Sequence, residues 1–321
     1  MFIRPLFRLV PDNTKIRFMR GRFLGLMVSA VLSSASIILF FYPGLNLGID
    51  FKGGVVIQAE TPSVANFAQL RAAFAAAGLG GAGLQRVGSA NGVMISLEAQ
   101  HSDAATEAAV QRISAALQKA APGSRILGTS AIGASVSAEL FRKGLLALGL
   151  SLLMILVYIW FRFEWEFAVG AVITLILDMT KAIGFLVVTR IQFDLVMVAA
   201  ILTILGYSTN DKVVVYDRVR ENLRKYKSMP LRELIDLSIN ETLSRTVGTS
   251  TTVFLAALPL ALFGGTSLSG FAWTLLFGIV VGTSSSIFIA APILLLLGEN
   301  RLRQDARTVP RPAKSPGSAR G

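Results

Sequence analysis

Long apolar runs alternate with short polar links along the chain. The runs near 23–42, 144–161, 167–189, 195–216, 246–263 and 271–297 are long enough, or nearly so, to cross a hydrocarbon core about 30 Å thick. Between the first and second runs the pattern changes from continuously apolar to mixed. Gly54 to Glu60 reads as a strand and Ser63 to Ala77 as a helix opening on a serine cap. Leu84 to Ala90 and Val93 to Ala99 read as two strands joined through Asn91-Gly92, a strong hairpin signal. Ser102 to Ala121 follows as an alanine-rich helix ending at Pro122-Gly123, and Arg125 to Ile132 as a fourth strand. The order βαββαβ predicts a ferredoxin-like layer of two helices on a four-stranded antiparallel sheet.

The predicted fold is an α-helical polytopic membrane protein with six transmembrane helices and one α+β ferredoxin-like domain between helices 1 and 2. Its parts are a basic cytoplasmic N-terminus (1–22), a first transmembrane helix (23–42), a periplasmic domain (43–136), a five-helix membrane region (137–298) and a disordered basic cytoplasmic tail (299–321). Within the membrane region the helices fall near 140–161, 166–189, 194–217, 243–264 and 270–297, with a cytoplasmic loop at 218–242. That loop carries Leu231, Leu234, Ile235 and Ile239 among Arg232, Glu233 and Asp236, a pattern suited to a helix lying at the interface or leading into the fifth span. The first run has no small-x-small cleavage pattern before Pro43, so it reads as a retained anchor.

Composition agrees with lipid as solvent: 53% of the 321 residues are hydrophobic and 16% are charged, against roughly 25% charged in an ordinary soluble domain. The surplus of 31 Lys and Arg over 19 Asp and Glu follows the bilayer rather than a nucleic-acid face. Basic residues gather before the first span (Arg4, Arg8, Lys15, Arg17, Arg20, Arg22), between Arg218 and Arg245, and after the last span, while 43–139 balances its charges. The positive-inside rule therefore puts both termini in the cytoplasm, with the basic flanks near anionic lipid headgroups, an arrangement in keeping with a bacterial inner membrane. The absence of cysteine excludes disulfides and thiolate metal sites. The single histidine, His101, opens a soluble helix and reads as a solvated surface residue.

An ionisable side chain at bilayer depth is costly unless paired or wet, so each one needs a reason. Asp178 and Lys181 stand three apart on one face of the third span, which makes a structural ion pair the simpler reading and a transport role the alternative. Asp211 in the fourth span differs. Tyr207 brings a hydroxyl, Ser208, Thr209 and Asn210 form a polar turn, and Gly206 leaves room for close approach. Arg245, in the next helix, is expected to meet Asp211 at similar depth, because consecutive helices are usually neighbours. A buried carboxyl that a guanidinium approaches and leaves is a proton relay; a static salt bridge pinning two helices is the plainer alternative. Lys212 is expected to snorkel toward the cytoplasmic headgroups. The run Gly282-Thr283-Ser284-Ser285-Ser286 reads as a small-residue packing face. Asp50, just past the first span and before Gly53-Gly54, reads as a cap or tight turn into the first strand.

Several segments together resemble a known family. Gly48-Ile49-Asp50-Phe51-Lys52-Gly53-Gly54, Arg162-Phe163-Glu164-Trp165, Gly206-Tyr207-Ser208-Thr209-Asn210-Asp211, Asp217-Arg218-Val219-Arg220-Glu221-Asn222, Thr242-Leu243-Ser244-Arg245-Thr246 and Gly282-Thr283-Ser284-Ser285-Ser286-Ile287 occur in this order in the SecF branch of the SecD/SecF family, which belongs with the RND-type transporters. The resemblance runs from about Phe18 to Gly298. It implies a protein-export subunit, not an enzyme, that works with SecD beside the SecYEG translocon, with YajC as a further partner and unfolded polypeptide as cargo. It implies no cofactor beyond the proton as coupling ion, and it puts Asp211 and Arg245 on the proton path. Two departures stand out. Many members have a His-Asp pair where this chain has Leu177-Asp178, and Lys181 and Lys212 replace residues that are often uncharged or hydroxylated.

Other readings compete. An RND-type exporter of small molecules or lipids would need large porter domains, for which the outer segment is too short. An intramembrane protease would need a Gly-x-Gly-Asp motif or a membrane histidine, and the chain has neither. A passive scaffold predicts that Asp211→Asn is silent.

Overall fold

The computed structural model describes residues 11, 14–87, 89–98 and 103–297. Most of the basic N-terminal segment, His101 and the basic tail lie outside these residues.

Among the described residues, six helices are long and apolar enough to cross a membrane. The first, α1, spans Arg22–Phe41 and follows a 3-10 turn at Phe18–Gly21. A single turn, α2 (Ile49–Lys52), leads into strand β1 (Gly54–Glu60). The outer unit continues through α3 (Phe67–Ala76), β2 (Gly83–Arg86), β3 (Gly92–Glu98), α4 (Asp103–Ala120) and β4 (Arg125–Ile132). The sheet order is β2-β3-β1-β4 with every neighbouring pair antiparallel, so the βαββαβ expectation holds in sequence and topology. Alternate residues Val55, Ile57 and Ala59 of β1 join Val93 and Ile95 of β3 under Leu70 and Phe74 of α3 and Ile113 and Leu117 of α4.

Three local expectations are corrected. The α3 helix starts at Phe67, not near Ser63, because Asn66 rather than Ser63 supplies the cap: its Oδ1 accepts the Gln69 N–H at 3.2 Å. The β2 strand is shorter than Leu84–Ala90, and Asn91-Gly92 is not a two-residue turn. Gly92 N–H donates to Ser89 O (3.0 Å) and Val87 N–H to Gly92 O (3.1 Å), which closes a longer loop in which Gly92 already opens β3. The loop expected at 218–242 narrows to 226–230, because α7 continues to Lys225 and the Leu231–Ile239 pattern leads directly into the fifth span, the second of the two readings it allowed.

The membrane helices that follow are α5 (Ala134–Arg162), α6 (Trp165–Thr189), α7 (Leu195–Lys225), α8 (Leu231–Phe263) and α9 (Gly265–Ser285), then a π-turn at Ser286–Ala290 and α10 (Ala291–Leu297). Both α7 and α8 run on beyond bilayer length, and only residues 226–230 separate them. Pro230 ends that link and presets the entry to α8. The π-turn has a local cause in Pro292, which has no N–H and crowds the carbonyl four residues earlier, so the turn before it widens and Ala291 N–H reaches back to Ser286 O.

The α7 helix is the central post and packs against α5, α6, α8 and α9. The aromatic side chains Phe163, Phe167 and Tyr216 meet at its lower part, with ring centroids 5.3–6.1 Å apart. Two of the sequence motifs interlock there. Arg162 pairs with Asp217 and Glu164 with Arg220, each at 2.6 Å, which ties the α5–α6 corner to the extension of α7.

Candidate functional site in the helix bundle

The polar turn of α7 has an inward face and an outward one. Ser208, Thr209, Asp211 and Lys212 are buried, whereas Gly206 and Asn210 are exposed and Tyr207 is intermediate. From the inward face, two carboxyl sites with different surroundings emerge.

The first is built on Asp178 of α6. Its Oδ2 accepts from Lys212 Nζ (2.8 Å), Ser208 Oγ (2.7 Å) and Ser285 Oγ (2.6 Å), and its Oδ1 from Lys181 Nζ (3.3 Å). Lys212 Nζ also reaches Ser208 Oγ and, at 3.3 Å, Ser285 Oγ. The Asp178 side chain is fully buried, and those of Lys212 and Lys181 retain 2% and 6% of their exposure. The predicted Asp178–Lys181 pair is therefore present, but Lys212 does not snorkel to headgroups. It crosses to α6, because an unpaired ammonium at this depth is costlier than one on a carboxylate within reach.

The second site is Asp211, 1% exposed. No ammonium or guanidinium pairs with it among the described residues. Its side-chain partner is a hydroxyl: Thr283 Oγ1 of α9 lies 3.4 Å from Oδ2. Thr283 is 2.7 Å from Ser250 Oγ of α8, and Tyr207 Oη donates to Ser250 Oγ at 2.6 Å. If each hydroxyl donates once, the chain runs Tyr207, Ser250, Thr283, Asp211 without a conflict of protons. Ser250 also has Thr246 O (2.7 Å) as an alternative acceptor.

Arg245 does not join this site, contrary to the expectation that it meets Asp211. The inward face of α8 is set by Ile235, Ile239, Thr242 and Thr246, and the helical period turns Ser244 and Arg245 away from it. Arg245 lies on an exposed stripe of α8 that continues through Thr249 and Thr252. The stripe is polar, and α7 adds Thr203 and Asn210 to the exposed polar surface.

The motif at the outer end also differs from its simple reading. Asp50 does not cap its own turn: its Oδ2 accepts the N–H of Leu195, the first residue of α7, at 3.0 Å. Gly53 and Gly54 have φ of 72° and 128°, conformations that favour glycine.

Ser250, Thr283 and Ser285 were not singled out individually by sequence reasoning. Their signal was a hydroxyl in an otherwise apolar span, which reads equally well as small-residue packing.

Two family models match the chain. "Protein export membrane protein SecD/SecF, C-terminal" covers residues 112–300, and "SecD/SecF GG Motif" covers 38–61. A protein translocase subunit SecF of Cereibacter sphaeroides is 40% identical over 281 residues, which is 85% of this chain and 87% of that protein. The protein translocase subunit SecDF of Brucella abortus is 41% identical over 276 residues, 85% of this chain but 36% of that longer protein. Among solved structures, a Thermus SecDF described as a translocon-associated membrane protein superposes with a TM-score of 0.82 at 31% identity, covering 92% of this chain and 40% of that one. A SecDF in a super-membrane-facing form gives 0.65 at 30% identity.

Proposed function

The chain belongs to the SecD/SecF family of protein-export membrane proteins, a SecF subunit of protein translocation machinery, and we propose that it uses the proton-motive force, together with SecD, to draw polypeptide from the SecYEG channel. The observation that carries the reading is the contrast between two buried carboxyl groups on neighbouring helices. Asp178 is held by two ammonium groups and two hydroxyls, an arrangement that fixes it. Asp211 has a hydroxyl chain and no paired cation, an arrangement that leaves it able to exchange a proton. Asp211 is the proton carrier, Tyr207, Ser250 and Thr283 serve its supply, and Arg245 answers its charge from the exposed stripe when the helices move.

That stripe supports a membrane partner. Polar side chains on an exposed helix face at bilayer depth call for a protein neighbour rather than lipid. Relatives that carry SecD and SecF in one chain support SecD as that neighbour. SecYEG and YajC complete the proposed assembly. The basic flanks support cytoplasmic termini and an outer domain in the periplasm. One charge crossing 100 mV releases about 2.3 kcal/mol, enough to bias a two-state motion more than tenfold.

The test is reconstitution of the chain with SecD and SecYEG in vesicles bearing a proton gradient. Asp211→Asn, at matched incorporation, loses the gradient-stimulated part of precursor export. Export that responds to the gradient as in the parent would remove the proton role and leave a scaffold. The small-molecule exporter has no specific observation in its favour.

A further inference from the structure

The outer unit and the helix that carries Asp211 meet at one small joint. On the helix side the joint is fixed. Asp194 caps α7 in the ordinary way, its side chain accepting from Met197 N–H at 2.9 Å. The first N–H of the same helix, that of Leu195, goes instead to Asp50, nearly 150 residues earlier in the chain. Around this foreign cap the backbone is laced to the α6–α7 link. Gly48 N–H donates to Phe193 O (2.9 Å), Phe193 N–H to Asn46 O (2.7 Å), and Asn46 Nδ2 to Arg190 O (2.9 Å). The Arg190 guanidinium donates back to Gly44 O at 3.0 Å. Phe51, 9% exposed, seats the turn between Phe141 of α5 and Phe193, with ring centroids 5.5 and 5.4 Å away.

On the sheet side the joint is slighter: the side-chain contact from the sheet to the α6–α7 link is Gln85 Nε2 of β2 donating to Arg190 O at 3.4 Å. Gly53 and Gly54, both at positive φ, carry the chain from α2 into β1, of which Gly54 is the first residue, and β1 is an interior strand flanked by β3 and β4. A cleft of about 180 Å³ opens beside them, lined among others by Gly48, Lys52, Gly53, Gly83 and Glu98. The sheet is joined to the membrane helices by chain at two places, here and through Gly133 between β4 and α5, and a glycine at each lets its angle to α2 change while α2 stays on α7. The helix itself transmits well. It runs without proline from Leu195 past Asp211, roughly 24 Å at 1.5 Å per residue.

We propose that Asp50 is the positioning residue that couples the proton-bearing helix to the outer domain: it clamps α2 to the N-terminus of α7, so that displacement of α7 at Asp211 is delivered through the Gly53-Gly54 hinge to β1. The proposal rests on the reading of Asp211 given above. A cap needs only an acceptor oxygen, which Asn provides as well as Asp and Ala does not. The functional prediction is therefore specific. In vesicles with SecD and SecYEG, Asp50→Ala retains gradient-driven proton uptake, read by an entrapped pH dye, while gradient-stimulated export falls about fivefold, the population change expected for one lost helix cap. Asp50→Asn restores export. Gly53→Ala leaves the cap in place, strains a position at φ 72°, and should lower stimulated export likewise.

A second readout does not depend on export. The chain has no cysteine, so spin labels at Thr129→Cys on β4 and Gln192→Cys beside α7 report the joint alone. Asp50→Ala broadens the distance distribution between them, and Asp50→Asn keeps it narrow. An unchanged distribution in Asp50→Ala, a parental export response in either Asp50→Ala or Gly53→Ala, or an Asp50→Asn as defective as Asp50→Ala would each overturn the coupling role. Failure of the premise looks different: proton uptake would survive Asp211→Asn while the label distances still responded to Asp50→Ala.

Discussion

Removing the Asp178 carboxyl should be among the most destabilising single changes in the membrane region, and removing the whole charge cluster should be far milder. Asp178 lies 2.8 Å from Lys212 and 3.3 Å from Lys181. At an effective dielectric near 20, these separations correspond to attractions of about 6 and about 5 kcal/mol before desolvation is subtracted. Most of that gain offsets the burial of the three charges. Breaking a buried pair by deleting one partner typically costs about 3–5 kcal/mol, because the other charge stays behind uncompensated. Asp178→Ala leaves two lysines facing each other with Ser208 and Ser285, so a loss of about 3–5 kcal/mol is expected. The triple variant Asp178→Leu, Lys181→Met, Lys212→Met keeps volume and buries no charge, and Ser285 retains its bond to Gly282 O at 3.0 Å. It should recover at least half of the loss, since apolar replacements of buried ion clusters are often neutral or better. Equilibrium unfolding by SDS in mixed micelles measures both. A single variant as stable as the parent, or a triple variant less stable than the single, would refute the clamp.

Two further outcomes follow from the packing and the caps. A Cβ on Gly184 of α6 would collide with Ser36 of α1, so Gly184→Val should cost about 1–3 kcal/mol by overpacking; unaltered heat resistance of the purified variant would show that α1 is not seated there. Asp194 has its carboxyl pushed above the ordinary 3.8, by burial first and by neighbouring Asp50 in addition, against the backbone donors that lower it. With the folded-state value raised, the contribution to stability falls as pH rises above 3.8 and levels off once the folded carboxyl has ionised. Asp194→Asn keeps the cap and should flatten that slope in an unfolding series run upward from pH 3.5; an identical slope would show that another group sets it.

The membrane helices and the βαββαβ order were legible because both depend on local pattern: apolar runs in one case, alternation punctuated by turn residues in the other. Boundaries failed where a nonlocal or idiosyncratic contact decided them, as at Asn66 in place of Ser63. The charges were harder. Pairing Asp178 with Lys181 needs only the helical period, and it was readable. Sending Lys212 across to Asp178, and Arg245 outward, depends on how α6, α7 and α8 are rotated about their axes. A single sequence with apolar residues all round each span does not encode that rotation. Ser250 and Thr283 were hidden for the same reason, since a hydroxyl bonded to its own helix and one handed to a neighbour look alike in sequence.

Three contacts made by α7 therefore have to be considered together. Lys212 ties it to α6 through Asp178, Tyr216 Oη donates at 3.0 Å to Ala290 O at the π-turn, and Asp50 holds its outer end. Asp211 lies between the first and last of these, adjacent in sequence to a residue that is clamped. A helix pinned on the α6 side at Lys212 has little freedom to slide as a piston, whereas rotation about that contact moves Asp211 relative to Thr283, which approaches it at a loose 3.4 Å. The same rotation moves Leu195, and with it Asp50. On the proposal that Asp211 carries the proton, a change of its charge would tilt the outer end rather than shift the whole helix, and a tilt is the motion that the glycines at the start of an interior strand can follow.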